Sequence, residues 1–281
     1  MTIRIETLFD QGTAKTIEDF ILAVHPFYGA MDGFSAGYNK DNPPLKYRES
    51  LTGGQIVPRI VQATFSNASP ERSLQDVLSE ANRNVAIVHT ERGLLLEQSE
   101  TLGSATFAIS KVGKEITTII QGGDCFALWK TKNGFGITRN QIFRHDLEIK
   151  EEIRRLMKKH NGDRTEMWRE ILPFMNQKRK ERINKNKNGY AVLNGQKKFW
   201  NCCFRTDIPT SELVYIILFS DGLVPFQRTG IKEELGEWVI KNYKDGGLNK
   251  ILQETRKEEE KEKEQSHEDF AEATALAISF I

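Results

Sequence analysis

Four aspartates in this 281-residue chain stand where a short apolar run meets a turn: Asp19, Asp32, Asp124 and Asp221. Asp32 is followed by Gly33, Asp221 by Gly222, and Asp124 follows Gly123, so each adjoins a permissive backbone position. Carboxylate oxygens suit Mg²⁺ or Mn²⁺. The three cysteines, Cys125, Cys202 and Cys203, and the five histidines lack zinc-site spacing. Taken singly, an Asp-Gly pair is ordinary turn chemistry. The set and its order carry the weight.

Two of the four can be placed against each other. Apolar residues 20–24 and 27–31 flank His25-Pro26 and read as a hairpin. A turn centred between His25 and Pro26 sets Asp19 opposite Asp32. Facing carboxylates repel unless a cation or a proton lies between them.

The elements around them follow from periodicity. Residues 53–67 predict a helix with Ile56, Ile60, Val61 and Phe65 on one face. A second helix is expected with Ser69 as N-cap and Pro70 at its first position, carrying Leu74, Val77, Leu78, Ala81, Val85 and Val88 inward and His89 on its polar side. Strand runs at 104–110, 115–121, 125–130 and 135–138 are separated by Gly113-Lys114, Gly122-Gly123-Asp124 and Asn133-Gly134. Such connections are too short for parallel crossovers, so an antiparallel meander is expected. Helices follow at 147–161 and 165–183, strand signals at 190–193, and a central strand buried on both faces at 213–219. Two more helical segments, about 230–243 and 246–264, precede a last strand at 271–281. The order implies an α+β protein with layered sheets, read as a single domain over 1–281.

Lys+Arg is 40 and Asp+Glu is 39, leaving +1, which argues against a global nucleic-acid or membrane field. The longest apolar run, 213–219, is far below the ~18 residues of a membrane span. Residues 1–10 lack the basic and apolar segments of a secretory signal, and the cysteines make no disulfide framework, so a cytoplasmic home is expected. The stretch Lys178, Arg179, Lys180, Arg182, Lys185 and Lys187 reads first as a solvated helix face; a single nearby aromatic, Tyr190, gives little stacking support for nucleic acid. The charged run 256–264 reads as a solvated helix end or linker.

Read in order, the aspartate motifs resemble the metal-dependent protein phosphatases of type 2C in their bacterial form. Ile17-Glu18-Asp19 is similar to the family's first acidic motif, and Tyr28-Gly29-Ala30-Met31-Asp32-Gly33-Phe34-Ser35 to its FAVADGMGG segment. Ser104-Ala105-Thr106 resembles GTT, and Gly123-Asp124-Cys125-Phe126-Ala127-Leu128 resembles GDSRAYL. Phe219-Ser220-Asp221-Gly222-Leu223 resembles LSDGL, and Ala273-Thr274-Ala275-Leu276 the end of DDATAL. The resemblance covers nearly the whole chain. It implies two stacked antiparallel sheets flanked by helices, with a helical, basic flap at about 145–190. It also implies two or three Mn²⁺ or Mg²⁺ ions, with Asp32 bridging two of them, Gly33 offering its carbonyl, Asp221 holding one, Asp19 completing the cluster and Asp124 serving an accessory third. The implied activity is hydrolysis of phosphoserine and phosphothreonine in proteins by metal-activated water, with Asp32 and Asp19 catalytic. The implied partners are phosphorylated proteins and a cognate serine/threonine kinase, with the basic stretch near the flap drawing acidic phosphoproteins.

The departures are specific. The family's phosphate-binding arginine falls on Ala14, with Lys15 beside it as the substitute phosphate ligand. Phe34 stands where many eukaryotic members carry histidine. The last metal-binding aspartate falls on Ala271, leaving Glu272 or Asp269 as replacements. These departures define the alternative, a pseudophosphatase that keeps the fold as a binding or regulatory module.

Overall fold

The computed structural model describes residues 2–36, 45–47, 50–185, 188–266 and 270–281. Among the described residues, strands form two five-stranded sheets, antiparallel throughout. One runs in the order β1 (Ile3–Asp10), β10 (Ala273–Phe280), β9 (Leu213–Phe219), β6 (Phe126–Thr131), β7 (Phe135–Ile137). The other runs β2 (Asp19–Val24), β3 (Phe27–Phe34), β4 (Ser104–Val112), β5 (Ile116–Gly122), β8 (Phe204–Pro209).

Strand parity sets the layers. On β3, Tyr28 and Ala30 join Ala108 and Ile119 in a core completed from the opposite sheet by Ala127, Ile216, Leu218, Leu276 and Ile278. The alternate residues Phe27 and Met31 face outward, beneath α1 (Gly53–Ser66) and α2 (Leu74–Glu91), where Val57, Val61, Phe65, Val77 and Val85 cover them. On the other sheet Phe126, Leu128, Ile217 and Phe219 pack against Leu235, Val239, Leu248 and Ile251 of α5 (Lys232–Ser266), which is two helical segments joined at a non-helical break at Gly246 and Gly247, as the two expected segments anticipate. Each such side chain, fully buried, contributes roughly 1.5–3 kcal/mol of hydrophobic stabilisation. The result is the expected α+β sandwich, helix layer on sheet on sheet on helix layer. Two further helices, α3 (Phe143–Lys159) and α4 (Arg164–Arg182), pack on each other through Leu156, Met167 and Ile171. No helix among the described residues is long and apolar enough to cross a membrane.

Several local expectations need correction. Helix α2 begins four residues later than expected, because Ser73 rather than Ser69 accepts the first free amide, Asp76 N, at 3.1 Å. Ser69 instead closes its own turn, accepting Arg72 N at 3.1 Å. His89 is fully buried, held between the Tyr47 hydroxyl (2.8 Å) and the Gly103 carbonyl (2.9 Å). The expected meander is two hairpins in different sheets: the chain leaves β5 and enters β6 across the sandwich at Gly123, whose φ of 78° permits the turn. Residues 190–193 form isolated bridges, Ile183↔Tyr190 and Ala105↔Leu193, rather than a strand. The outer strands β1 and β8 have half-exposed patterns that alternation does not mark.

The basic stretch is also partly absorbed. Lys178 and Arg182 both pair with Glu148 at 2.7 Å, and Arg179 lies over the Phe34 ring while donating to Ser35 O at 3.2 Å. Lys187 lies outside the described residues. Arg256, from the charged run, bonds Asp10 and the Ala271 carbonyl, both at 2.7 Å, so the run starts on a tertiary anchor.

Candidate active site

The β2–β3 hairpin turns at His25-Pro26 and pairs Asp19 with Asp32. Both lie in phase with inward-facing residues, Asp19 with Ile21 and Asp32 with Tyr28 and Ala30, so both point between the sheets. The opposite sheet meets them at the end of β9. Ser220 donates its hydroxyl to Asp19 Oδ2 at 2.6 Å and accepts Thr274 N at 2.9 Å. Asp221 follows Ser220, and Asp124 sits at the crossing from β5 to β6. Sheet stacking therefore brings four carboxylates, remote in sequence, to one end of the sandwich. Gly33, next to Asp32, is pressed close: a Cβ there would collide with the Gly54 and Glu18 carbonyl oxygens.

The electrostatics are those of crowded like charges. Asp32 is held well above the usual carboxylate range, first by burial and then by Asp19, Asp221 and Asp124. Burial pushes Asp19 up to about 7, with the Glu272 charge adding to it and the Ser220 hydroxyl opposing. Asp221 is raised well above its ordinary value by burial, then by Asp124, Asp19 and Asp146. Asp124 is raised by burial, opposed by Thr106. Clustered carboxylates like these stay ionised together only when cations neutralise them.

Chemically the residues fit a hard divalent ion. Every donor is a carboxylate oxygen, and Asp124, 8% exposed, has its Oδ1 buried with no hydrogen-bond partner. The side chains are not preset: among the described residues no group of three or more His, Cys, Asp or Glu stands in coordinating geometry. Glu272 has a positioning contact of its own. Its Oε2 accepts the Glu18 and Asp19 amides, each at 2.9 Å, which fixes the start of β2, while its Oε1 is buried without a partner. Ala271, beside it, is exposed, and Asp269 lies outside the described residues.

Lys15 sits on the exposed turn before β2 and lines a cleft of about 640 Å³ whose wall includes Glu18 and Asp19. Lys46 and Arg59 line the same cleft. His145, by contrast, is buried against Tyr190, where it is held down to about 4 by burial and by Arg182, Arg179 and Lys178. Cys125 is buried beside Thr106 Oγ1 at 3.3 Å.

Two members of the cluster lie outside the sequence-based set. Asp146, in the first turn of α3, is raised well above its ordinary value by burial and by Asp124. Its placement follows from Gln141, which bonds Gly123 through both its amide (3.1 Å) and its side chain (3.1 Å), docking the start of α3 beside Asp124. Glu18 is the other: its carboxylate accepts the Ser35 hydroxyl at 3.0 Å and the Thr52 hydroxyl. An acid in the first turn of a helix is common N-terminal chemistry, so no sequence signal separated Asp146 from it.

No model of a known protein family matches this sequence, and no curated protein does. Solved structures do match. The serine/threonine phosphatase Stp1 from Staphylococcus aureus is 14% identical with a TM-score of 0.58, over 100% of this chain and 96% of that one. The catalytic domain of the serine/threonine phosphatase PstP, solved with two manganese ions, is 12% identical with a TM-score of 0.57, over 99% and 97%. PppA of Pseudomonas aeruginosa is 13% identical with a TM-score of 0.55, over 100% and 99%. At these identities the likeness is one of fold: the chain has the two-sheet sandwich of the type-2C serine/threonine phosphatases.

Proposed function

Starting from that fold, we propose that the chain is a Mn²⁺- or Mg²⁺-dependent serine/threonine phosphatase acting on phosphoproteins. The observation that carries the reading is the convergence of Asp19 and Asp32 from one sheet with Asp221 from the end of β9 in the other and Asp124 from the crossing between them. Divalent ions bound there would supply an activated water and neutralise phosphoryl charge. Asp32 and Asp221 would hold them, with the Gly33 carbonyl beside Asp32. Asp19, oriented by Ser220, would complete the cluster. Asp124 and Asp146 would hold an accessory ion. Glu272 would serve by fixing the Glu18 and Asp19 amides, in addition to any ligation by its free Oε1. Lys15 would meet the phosphate as a point charge. The α3–α4 pair would act as a flap over the centre within one domain. A phosphorylated protein, and a kinase that makes it, are the implied partners, and cytoplasmic bacterial signalling is the setting that fits.

One observation favours a second reading, a pseudophosphatase that binds without turning over. Ala271 and Ala14 remove an aspartate and an arginine, and Glu272 is engaged with backbone. The deciding experiment is hydrolysis of an aryl phosphate and a phosphothreonine peptide with Mn²⁺, with Mg²⁺ and with chelator. Metal-dependent turnover that disappears in Asp32→Asn supports the enzyme. A folded, metal-replete chain with no turnover supports the second reading.

A further inference from the structure

The cleft beside Asp19 has, besides Lys15, two cations that the proposed chemistry does not use, Lys46 and Arg59. It lies between two sheet edges: Phe9 comes from β1, and Phe20 and Ile21 from β2, each the outermost strand of its sheet. Three elements each bring one cation to it: the 11–18 turn brings Lys15, the segment 45–47 brings Lys46, and α1 brings Arg59. All three are exposed, and among the described residues none has a salt bridge. Each backbone is nevertheless anchored. Thr13 N reaches Phe270 O at 3.0 Å and Gln55 Nε2 reaches Ile17 O at 3.2 Å, pinning the turn to the segment before β10 and to α1. Tyr47, 8% exposed, bonds His89 and donates its amide to Leu51 O at 2.8 Å, which holds Lys46 at the rim.

Three like charges fixed around one cleft repel one another until an anion enters. Of the cleft's own carboxylates, Asp19 is engaged by Ser220 and Glu18 by the Ser35 and Thr52 hydroxyls, and Glu18 offsets part of the Lys46 charge, leaving Lys15 and Arg59 uncompensated among the described residues. Exposed apolar surface adjoins the cations: Phe9 is 45% exposed and Ile17 44%. We propose that this cleft is a docking groove for acidic side chains flanking the phosphorylated residue of a protein substrate, so that the centre prefers phosphoproteins of acidic context. The groove opens at Asp19, so a chain whose phosphate lies at the carboxylates continues directly into it. The inference rests on the proposed phosphatase reading for the position of the phosphate, and not for the binding itself. Complementary charge of this kind raises capture and selectivity, and screening by salt over about 10 Å weakens it.

The test uses the full chain with Mn²⁺ and two peptides carrying a non-hydrolysable phosphonate in place of the phosphate ester. One has Asp and Glu flanks and the other Gln flanks; binding is read by fluorescence anisotropy, so no turnover is required. The acidic peptide is expected to bind about tenfold more tightly at low salt, and the gap to narrow as salt rises. In the Lys46→Ala, Arg59→Ala double variant the gap should fall to about twofold. Both positions are exposed, so folding is not at stake, and Arg59→Glu alone, which leaves the same net charge from these three positions as the double variant, should narrow the gap to a similar extent. Equal affinities, a gap that survives in the double variant, or binding of neither peptide overturns the proposal. Absence of turnover with ester substrates would instead count against the phosphatase reading, and the binding preference would stand or fall separately.

Discussion

Replacing Asp19 by Asn should stabilise the metal-free protein, and by an amount that grows with pH. Asp19 is 6% exposed and its carboxyl is pushed from 3.8 to about 7. Its folded-state pKa therefore lies above its unfolded one. The stability it contributes is present below about pH 4 and is lost as pH rises through about 7. A shift of that size corresponds to about 4 kcal/mol once ionisation is complete, somewhat more than half of which falls between pH 5 and pH 8. Asn keeps the oxygen that accepts from Ser220 and removes the titration. Urea unfolding in chelator at pH 5, 6, 7 and 8 compares wild type with Asp19→Asn at each pH; loss of the Asp19 charge also relieves Asp32 and Asp221, which adds to the gain. His145, held down to about 4 in the folded chain, is common to both proteins and cancels in the difference. The variant should gain about 2–3 kcal/mol relative to wild type across the range. With Mn²⁺ at about a hundredfold its Kd, wild type should recover about 2.7 kcal/mol and Asp19→Asn distinctly less. A difference that does not change with pH, or a variant less stable than wild type at pH 8, would refute the reasoning.

Three other outcomes are expected. Asp146→Asn should weaken Mn²⁺ binding about tenfold by titration calorimetry, as loss of one outer carboxylate ligand does; unchanged affinity would make Asp146 only a helix-terminal acid. Ser220→Ala removes the hydroxyl that joins Asp19 to Thr274 N and leaves that amide unpaired, so urea unfolding should register a loss of about 2 kcal/mol. Lys15→Ala should raise KM for phosphate esters more than it lowers kcat, and a KM that stays put removes Lys15 from the phosphate site.

The hairpin is the clearest case of structure legible in residue order. Its register depends on where the turn falls, and His25-Pro26 marks that place within a few residues of both carboxylates. On α1 the burial of Val61 and Phe65, and most of the burial of β9, were legible for the same reason, whereas Ile56 and Ile60 are only partly buried and Val57 faces the core in full. Failures occurred where a distant partner overrode a local signal. His89 lies where the helical pattern reads polar, yet Tyr47 and Gly103 satisfy both ring nitrogens and make burial tolerable. The basic stretch looked solvated because Glu148, some thirty residues earlier, gave no hint that it would face Lys178 and Arg182. The edge strand β1 escaped because a strand with one neighbour need not alternate cleanly.

For the site, residue order alone determined that Asp19 and Asp32 face each other across one hairpin and that Asp124 and Asp221 each end or begin an apolar run beside glycine. Period-two alternation also determined that each strand has two faces. It could not say which face would meet the other sheet. That choice came from the sandwich: β5 and β6 belong to different sheets, and Ser220 of β9's end bonds Asp19 of β2, so the four carboxylates meet only after the two sheets stack. Asp146 joins them through the docking of Gln141 on Gly123. Turns and periodicities are short-range properties encoded in neighbouring residues, whereas the meeting of charges hundreds of residues apart is decided by how apolar faces are buried against one another.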